Sequence, residues 1–290
     1  MKKAYILGLL TVLFWSTSAT AFKLTLRYLD VLPLLFYAIV TATLILAGYL
    51  LITGNFSAVF RLQPQEYLLC LILGILNPFI HYWMAIKAYD LLPAQIVQPI
   101  NYTWIITLVL LSVPLLKQSL SRKDIFATLV CYAGVVVVSI KTGTSDSITM
   151  NYFGVFLALS CTFIWALYWI YNVRLKRDPI VGIFLNFLFC IPFVLFACLW
   201  FSSLKIEYME GLFGAIWIGC FEFGFTFITW ISALRLSKQT SKITNLIFLT
   251  PFVSLIFIHF ILGEYILWKT LIGLILIITG LVVQKQGKGQ

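Results

Sequence analysis

Two ionisable side chains lie inside long apolar stretches, where charge is costly and therefore informative about function. Glu222 occupies the middle of the stretch 212–234, and His81 lies in the stretch 67–86. An ionised carboxylate is unfavourable in an apolar medium, so a carboxylate at such a position is suited to carry a proton. Imidazole can change its charge near neutral pH or meet the carboxylate of a ligand. The sequence predicts proton coupling at Glu222 and ligand binding at His81, with hydrogen bonding between helices as the alternative for both.

Tryptophan is the second residue type that points to a binding site, since the chain contains nine. In membrane proteins most Trp side chains lie near the ends of the spanning segments, where the indole N–H meets water. Trp15, Trp104 and Trp165 instead fall near the middle of their apolar stretches. An indole N–H there prefers a polar interior partner. These rings are predicted to line a cavity, where they could hold an apolar side chain or an ammonium group.

Polar and aromatic side chains recur at helical spacing on four apolar stretches. Asn77 and His81 are four residues apart and share a helix face. Another series consists of Trp165, Tyr168 or Trp169, and Asn172. Two longer series are Gln95, Gln98 and Tyr102, and Glu222, Thr226 and Thr229. Each series could simply join neighbouring helices, but four series converge more naturally on one cavity. The predicted substrate-binding residues are His81, Tyr82, Tyr102, Trp104, Trp165, Trp15, Asn77, Gln98 and Trp169, with Glu222 for proton coupling.

The composition indicates which elements must position these side chains. Hydrophobic residues make up 62% and charged residues 10% of the 290-residue chain, against about half and about a quarter in ordinary soluble proteins. Apolar stretches of about 20 residues fit membrane-spanning helices and are too long for barrel strands. The sequence therefore predicts an all-α integral membrane protein with ten transmembrane helices. Its ten stretches are 4–22, 31–52, 67–86, 93–115, 125–140, 152–173, 181–201, 212–234, 243–262 and 266–283.

The distribution of basic residues predicts the orientation of these helices. With a cytoplasmic N-terminus, 14 of the 20 Lys and Arg residues fall on the cytoplasmic side, as the positive-inside rule requires. Both termini are then cytoplasmic, and Lys2 and Lys3 begin an uncleaved first helix rather than a signal peptide. The net charge of +10 reflects this topology and not a nucleic-acid surface, because no basic cluster stands on a soluble surface.

The two halves of the chain resemble each other at an offset of 146 residues, which pairs Gly134 with Gly280. An odd number of helices in each half turns the second half upside down, and such inverted repeats are typical of secondary transporters. Chance similarity between hydrophobic helices is the alternative. The predicted units are two inverted five-helix repeats, residues 1–144 and 145–290, joined through the polar segment Lys141–Asn151. Three prolines are predicted to interrupt helices and free backbone carbonyls: Pro78, Pro99 and Pro251.

Short motifs carry a resemblance to a known family. The second half resembles the drug/metabolite transporter superfamily, EamA type, at Thr250-Pro251-Phe252, Leu262-Gly263-Glu264, Gly273 and Gly280. The chain also resembles the bacterial aromatic amino-acid exporters of that superfamily. This resemblance rests on four sites: His81-Tyr82, Asn101-Tyr102-Thr103-Trp104, Pro114-Leu115-Leu116-Lys117 and Trp165. The sequence departs from the common pattern at one pair of corresponding positions. The first half has Lys117-Gln118 where the second half has Gly263-Glu264. The resemblance implies a five-plus-five helix layout and the transport of small metabolites.

Together these observations predict a multi-pass secondary transporter in the inner or plasma membrane of a bacterial-type cell. It would export small amphipathic metabolites, above all aromatic or other hydrophobic amino acids, by alternating access at a central cavity. A flippase, or a transporter for a lipid-linked sugar, a nucleotide sugar or a drug-like cation, is the alternative. An intramembrane enzyme is disfavoured, since the stretches contain no HExxH, GxSxG or paired aspartates. No cofactor or metal is predicted, and the expected partners are a small-molecule substrate and the lipid bilayer, without nucleic acid, in a monomer or homodimer.

Overall fold

The structure, a computed structural model, describes residues 2–117, 121–140, 150–173, 177–237 and 240–287. Every element within these ranges is helical, and no strand occurs in them. The predicted joint between the halves lies outside the described residues, apart from its last two, and so does Gln118.

The helices are numbered in chain order. The first five are α1 (Lys2–Thr25), α2 (Val31–Ile52), α3 (Pro64–Leu91), α4 (Ala94–Leu116) and α5 (Arg122–Ser139). The next five are α6 (Tyr152–Val173), α7 (Pro179–Phe201), α8 (Met209–Leu236), α9 (240–262) and α10 (Trp268–Gly287). A short 3-10 helix, Phe56–Phe60, separates α2 from α3.

Eight of the described helices, α1 to α4 and α6 to α9, are long and apolar enough to cross a membrane. They correspond to eight of the ten predicted stretches. The other two differ in composition or length: α5 begins with the three charged residues Arg122, Lys123 and Asp124, and the apolar part of α10 is the shorter segment Trp268–Val283. Membrane crossing by α5 and α10 stays a prediction.

Four of the described helices are interrupted along their length, and the interruptions occur in pairs. α3 and α8 each contain a π-helical segment, Ile75–Ile80 and Gly219–Gly224. α4 opens between Asn101 and Trp104, and α9 contains the 3-10 turn Ile247–Leu249. A proline lacks the N–H that continues a helical hydrogen-bond series. The prolines predicted as interruptions lie in or beside three of these sites: Pro78, Pro99 and Pro251.

α4 and α9 also end in the same way. Lys117 follows α4 with φ 54°, and Gly263 follows α9 with φ 72°. This left-handed conformation is routine for glycine and uncommon for lysine. The two sequences differ at this position, yet the backbone makes the same turn.

Helices that precede residue 144 pack chiefly against helices that follow it. α1 packs against α8 and α9, α2 against α7, and α3 against α6 and α7. The residues between these helices come from both halves of the chain, so a site there is built by both.

α5 and α10 form a close pair in which glycines bring the two backbones together. A Cβ atom on Gly134 would lie 2.6 Å from the carbonyl oxygen of Gly273, and a Cβ on Gly273 would lie 2.7 Å from that of Gly134. A Cβ on Gly280 would lie 2.7 Å from the carbonyl oxygen of Ala127. Small residues permit such close approach between membrane helices. Apart from each other, α5 and α10 contact mainly α4.

Candidate functional site

A cavity of about 110 Å³, which we call the central cavity, lies between α1, α3, α4, α6, α8 and α9. It brings together eight of the ten side chains predicted from sequence, although these come from positions spread over more than 200 residues of the chain. They are Trp15, His81, Tyr82, Gln98, Tyr102, Trp104, Trp165 and Glu222.

Glu222 lies within the π-helical segment of α8 and is 8% exposed. Its carboxylate accepts hydrogen bonds from the hydroxyl of Ser18 on α1 and from the hydroxyl of Tyr82 on α3, the second at 2.9 Å. The carboxylate thus joins three helices through two neutral donors. Because it is buried among apolar helices, its charge must be balanced by a proton or by a positively charged group.

His81 is held in position by its backbone partner and by two rings. Its Nδ1 lies 2.9 Å from the carbonyl oxygen of Cys161, and since a carbonyl only accepts, Nδ1 donates. The imidazole stacks on Trp165 with ring centroids 4.8 Å apart and meets Tyr82 edge to face at 4.7 Å. When the ring is neutral, its other nitrogen is therefore a hydrogen-bond acceptor.

Trp165 is the centre of an aromatic cluster. Trp104 meets it edge to face with ring centroids 6.3 Å apart, and Trp169 does so at 5.7 Å. Trp15 packs against Trp230 at 5.8 Å. The mid-helix tryptophans predicted to face inward thus do so, and their rings present apolar and π-electron surface to the central cavity.

A second cavity of about 400 Å³, which we call the inner cavity, adjoins the first. Trp15, Trp104, Trp165 and Ile247 border both. The inner cavity extends to the carboxyl-terminal parts of α4 and α8, which the charge distribution predicts to be cytoplasmic. A partition of three tryptophans and one isoleucine therefore separates the central cavity from this side.

Polar contacts hold the helices together on the opposite side, both between the halves and within the first half. The carboxylate of Glu264 accepts from the backbone N–H groups of Ala94 and Gln95, at 2.9 and 3.1 Å. These groups have no partner within the first turn of α4 and carry the positive end of its dipole. Lys23 donates to the carbonyl oxygens of Tyr89 and Leu92, at 2.8 and 3.2 Å.

Two of the ten predicted side chains lie elsewhere, and so do Gln95, Thr226 and Thr229 of the polar series. Asn77 is fully buried but does not line the central cavity, because its backbone leaves the helical region at φ −150° within the π-helical segment. Trp169 lines the inner cavity instead. Gln95 does not line the central cavity, since its amide donates to the carbonyl of Tyr265 and accepts from the hydroxyl of Thr270.

Some lining residues were not predicted. Ser18 lies three positions after Trp15 and therefore on the same face of α1, a signal that the sequence contains. Tyr89 donates to Gln98 at 2.5 Å, and Asn101 accepts from the thiol of Cys161. Tyr89 lies seven positions after Tyr82, and Asn101 lies three positions after Gln98, so helical spacing contains a signal for both. In the part of the chain that the structure describes, no group of three His, Cys, Asp or Glu residues could hold a metal ion.

An all-helical fold with a cavity lined by interrupted, apolar helices is typical of membrane transporters. The sequence model of the EamA-like transporter family matches residues 2–140 and 152–284, and the chain belongs to this family.

Relatives with curated descriptions carry transporter names. The chain is 25% identical over 295 residues to "Uncharacterized transporter YvbV" of Bacillus subtilis (strain 168), covering 100% of this chain and 93% of that protein. It is 24% identical over 160 residues to "Uncharacterized transporter in sor 3'region" of Acidianus ambivalens, covering 53% and 59%. One solved crystal structure shares the fold, with a TM-score of 0.69, 20% identity and full coverage of both chains.

Proposed function

We propose that the protein is a secondary transporter that moves small amphipathic metabolites across the cell's inner or plasma membrane by alternating access. The observation that carries this proposal is the central cavity, which aromatic rings and one buried carboxylate from both halves of the chain line together. The chain acts as a monomer or homodimer, without nucleic acid, and leaves the substrate covalently unchanged.

The architecture proposed for this function has ten membrane-crossing helices in two inverted units, residues 1–144 and 145–290, with both termini cytoplasmic. The paired interruptions of α3 with α8 and of α4 with α9 support it, because interrupted helices at corresponding positions of two halves mark transporter binding sites. The family match to two separate segments and the excess of Lys and Arg on one side also support it.

In the proposed cycle the structure represents a state closed on the outer side. Glu264 and Lys23 hold that side together, while the inner cavity reaches toward the cytoplasm. Ligand sites usually have about 300–1,000 Å³. The central cavity is smaller than this range, whereas the inner cavity falls within it. A substrate can therefore enter the central cavity only when the partition of three tryptophans and one isoleucine moves.

The substrate proposed from the family resemblance is an aromatic or other hydrophobic amino acid. Trp104 and Trp165 would hold its apolar side chain, each ring contributing about 0.5–1.5 kcal/mol beyond burial. His81, Tyr82, Tyr102, Gln98 and Trp15 would complete the site. A proton on Glu222 would couple transport to the pH gradient, because a proton and a bound cation can each neutralise the carboxylate.

The test is counterflow in proteoliposomes that contain the purified protein. Vesicles loaded with an unlabelled solute are diluted into the same solute at tracer level, and a transporter accumulates the label transiently. A panel of aromatic, aliphatic and charged amino acids and of amines should include at least one solute with saturable counterflow. Protein-free vesicles are the control, and the absence of counterflow for every solute in the panel would contradict the proposed function.

A further inference from the structure

We propose, on the basis of the transporter function above, that the charge of the central cavity favours a different substrate from the amino acid that the family resemblance suggests: a monovalent arylalkyl amine without a carboxylate, in preference to the corresponding zwitterionic amino acid. Glu222 serves as the counter-ion of the ammonium group, and the tryptophan rings hold the aromatic part.

The first argument is the charge of the lining. Glu222 is the only acidic side chain among the described residues that line the central cavity, and no Lys or Arg is among them. Its two hydrogen-bond donors, the hydroxyls of Ser18 and Tyr82, are neutral. An ammonium group that reaches this carboxylate gains a charge-assisted hydrogen bond, which is stronger than a neutral one. The carboxylate of an amino acid would meet the same negative charge and be repelled.

The second argument concerns the basic groups that could receive a substrate carboxylate. Lys23 donates to two backbone carbonyls on the closed outer side and does not line the central cavity. His81 uses its Nδ1 hydrogen on the carbonyl of Cys161. In the neutral ring the remaining nitrogen accepts hydrogen bonds, so it suits an ammonium group better than a carboxylate.

The third argument is the surface that the rings present. Trp15, Trp104 and Trp165 line the central cavity, and indole faces attract cations through their π electrons, by about 2 kcal/mol when water is excluded. The same faces do not attract a carboxylate. Aromatic stacking favours the amine and the amino acid equally, so the carboxyl group alone accounts for the selection.

The charge of the preferred ligand follows from the number of carboxylates that line the central cavity. One buried carboxylate balances one positive charge, and a second uncompensated charge in an apolar cavity is strongly unfavourable. A neutral analogue of the same shape would leave Glu222 to be neutralised by a proton. The cavity should therefore prefer a monovalent amine to both a diamine and an uncharged ring.

The experiment compares three ligands that share the indole ring: tryptamine, L-tryptophan and indole. Equilibrium binding of each is measured with radiolabelled ligand on the purified full-length protein in lipid nanodiscs. We expect tryptamine to bind at least about tenfold more tightly than L-tryptophan, since a charge-assisted hydrogen bond is typically worth a factor of that order. Equal or tighter binding of L-tryptophan, or binding of none of the three ligands, would overturn the proposal.

Variants test the role of the carboxylate. Glu222→Gln should abolish the preference for tryptamine over L-tryptophan while leaving indole binding nearly unchanged. The matched control is Glu207→Gln, because Glu207 is exposed and pairs only with Lys205 in the described residues. If Glu222→Gln does not fold, Tyr82→Phe removes one donor to the carboxylate and should change tryptamine affinity more than indole affinity. An unchanged ligand ratio in the folded variant would overturn the role of Glu222.

Counterflow separates this inference from the function on which it rests. Saturable counterflow of L-tryptophan without any of tryptamine would overturn the charge selection and leave the transporter function standing. Tight tryptamine binding without counterflow of any solute would have the opposite meaning: the carboxylate site would stand, and the transport function would fail.

Discussion

Glu264 and Gln95 are separated by 168 intervening residues, yet the carboxylate of Glu264 accepts from the backbone N–H of Gln95 at 3.1 Å. The neighbouring N–H of Ala94 binds the other carboxylate oxygen at 2.9 Å. A negative charge at the start of α4 satisfies two N–H groups and opposes the positive end of the helix dipole. In the proposed cycle this contact holds the predicted outer side closed, so we expect opening toward that side to break it.

Glu264→Ala is therefore expected to destabilise the outward-closed state by about 2 kcal/mol, the range for hydrogen bonds to a charged group. The measurement is the rate at which an impermeant thiol reagent, added outside, modifies a cysteine placed at Ala85 in a cysteine-free background. Ala85 lines the central cavity. We expect faster modification, with Glu207→Ala as the control that leaves the rate unchanged. Equal rates in both variants would contradict the gating role.

Substituting the central tryptophans should weaken transport. Trp104→Ala and Trp165→Ala each remove a ring from the central cavity, and a loss near 1.4 kcal/mol corresponds to about tenfold in affinity. Trp200→Ala is the control, since Trp200 is 71% exposed at the end of α7. The measurement is the concentration that gives half-maximal counterflow at matched protein levels. Wild-type values in both cavity variants would argue against the aromatic site.

Glu222→Gln should separate proton coupling from substrate movement. The amide keeps the shape of the side chain but cannot release a proton, so uptake driven by a pH gradient should be lost, while exchange of a zwitterionic solute such as L-tryptophan, which does not depend on the carboxylate, continues. The carboxylate faces Tyr82 from α3 and Ser18 from α1, and neither of these takes up a proton in its place near neutral pH. Gradient-driven uptake in proteoliposomes checks this, and undiminished uptake would show that Glu222 is structural.

The glycine contacts between α5 and α10 make a prediction about stability. Gly134→Ala and Gly273→Ala place a methyl group where a backbone oxygen already lies, and such overpacking typically costs about 1–3 kcal/mol. Gly48→Ala is a matched control in α2, where an added Cβ would meet nothing within 4 Å. Thermal unfolding in detergent should show lower melting temperatures for the first two variants and an equal or higher one for the control.

The orientation can be checked with reporter fusions. A reporter after Gln290 should be active only in the cytoplasm, and one inserted in the predicted joint should be active only outside. The reason is the excess of Lys and Arg on one side of the apolar stretches. Two reporters on the same side of the membrane would contradict five crossings in each half.

The sequence by itself determined the class of the molecule. Hydropathy is a local property, so ten apolar stretches could be placed from the sequence alone, and eight of the described helices that correspond to them are long and apolar enough to cross a membrane. The free-energy cost of placing a carboxylate or an indole N–H in lipid is also a local property, because it depends on the position of the residue within its own apolar stretch. For this reason Glu222, Trp104 and Trp165 were predicted to face an interior, and the structure places all three at the central cavity.

Tertiary structure decided which polar residues share the cavity. Helical spacing relates residues only along an uninterrupted helix, and one extra residue in a turn rotates everything beyond it by about 100°. The π-helical segment of α3 accordingly turns Asn77 away while His81 stays at the cavity. The pairing of Ser18 with Glu222 and of Gln95 with Glu264 depends on which helices become neighbours. Contacts between distant segments determine which helices become neighbours, and no local sequence pattern encodes these contacts.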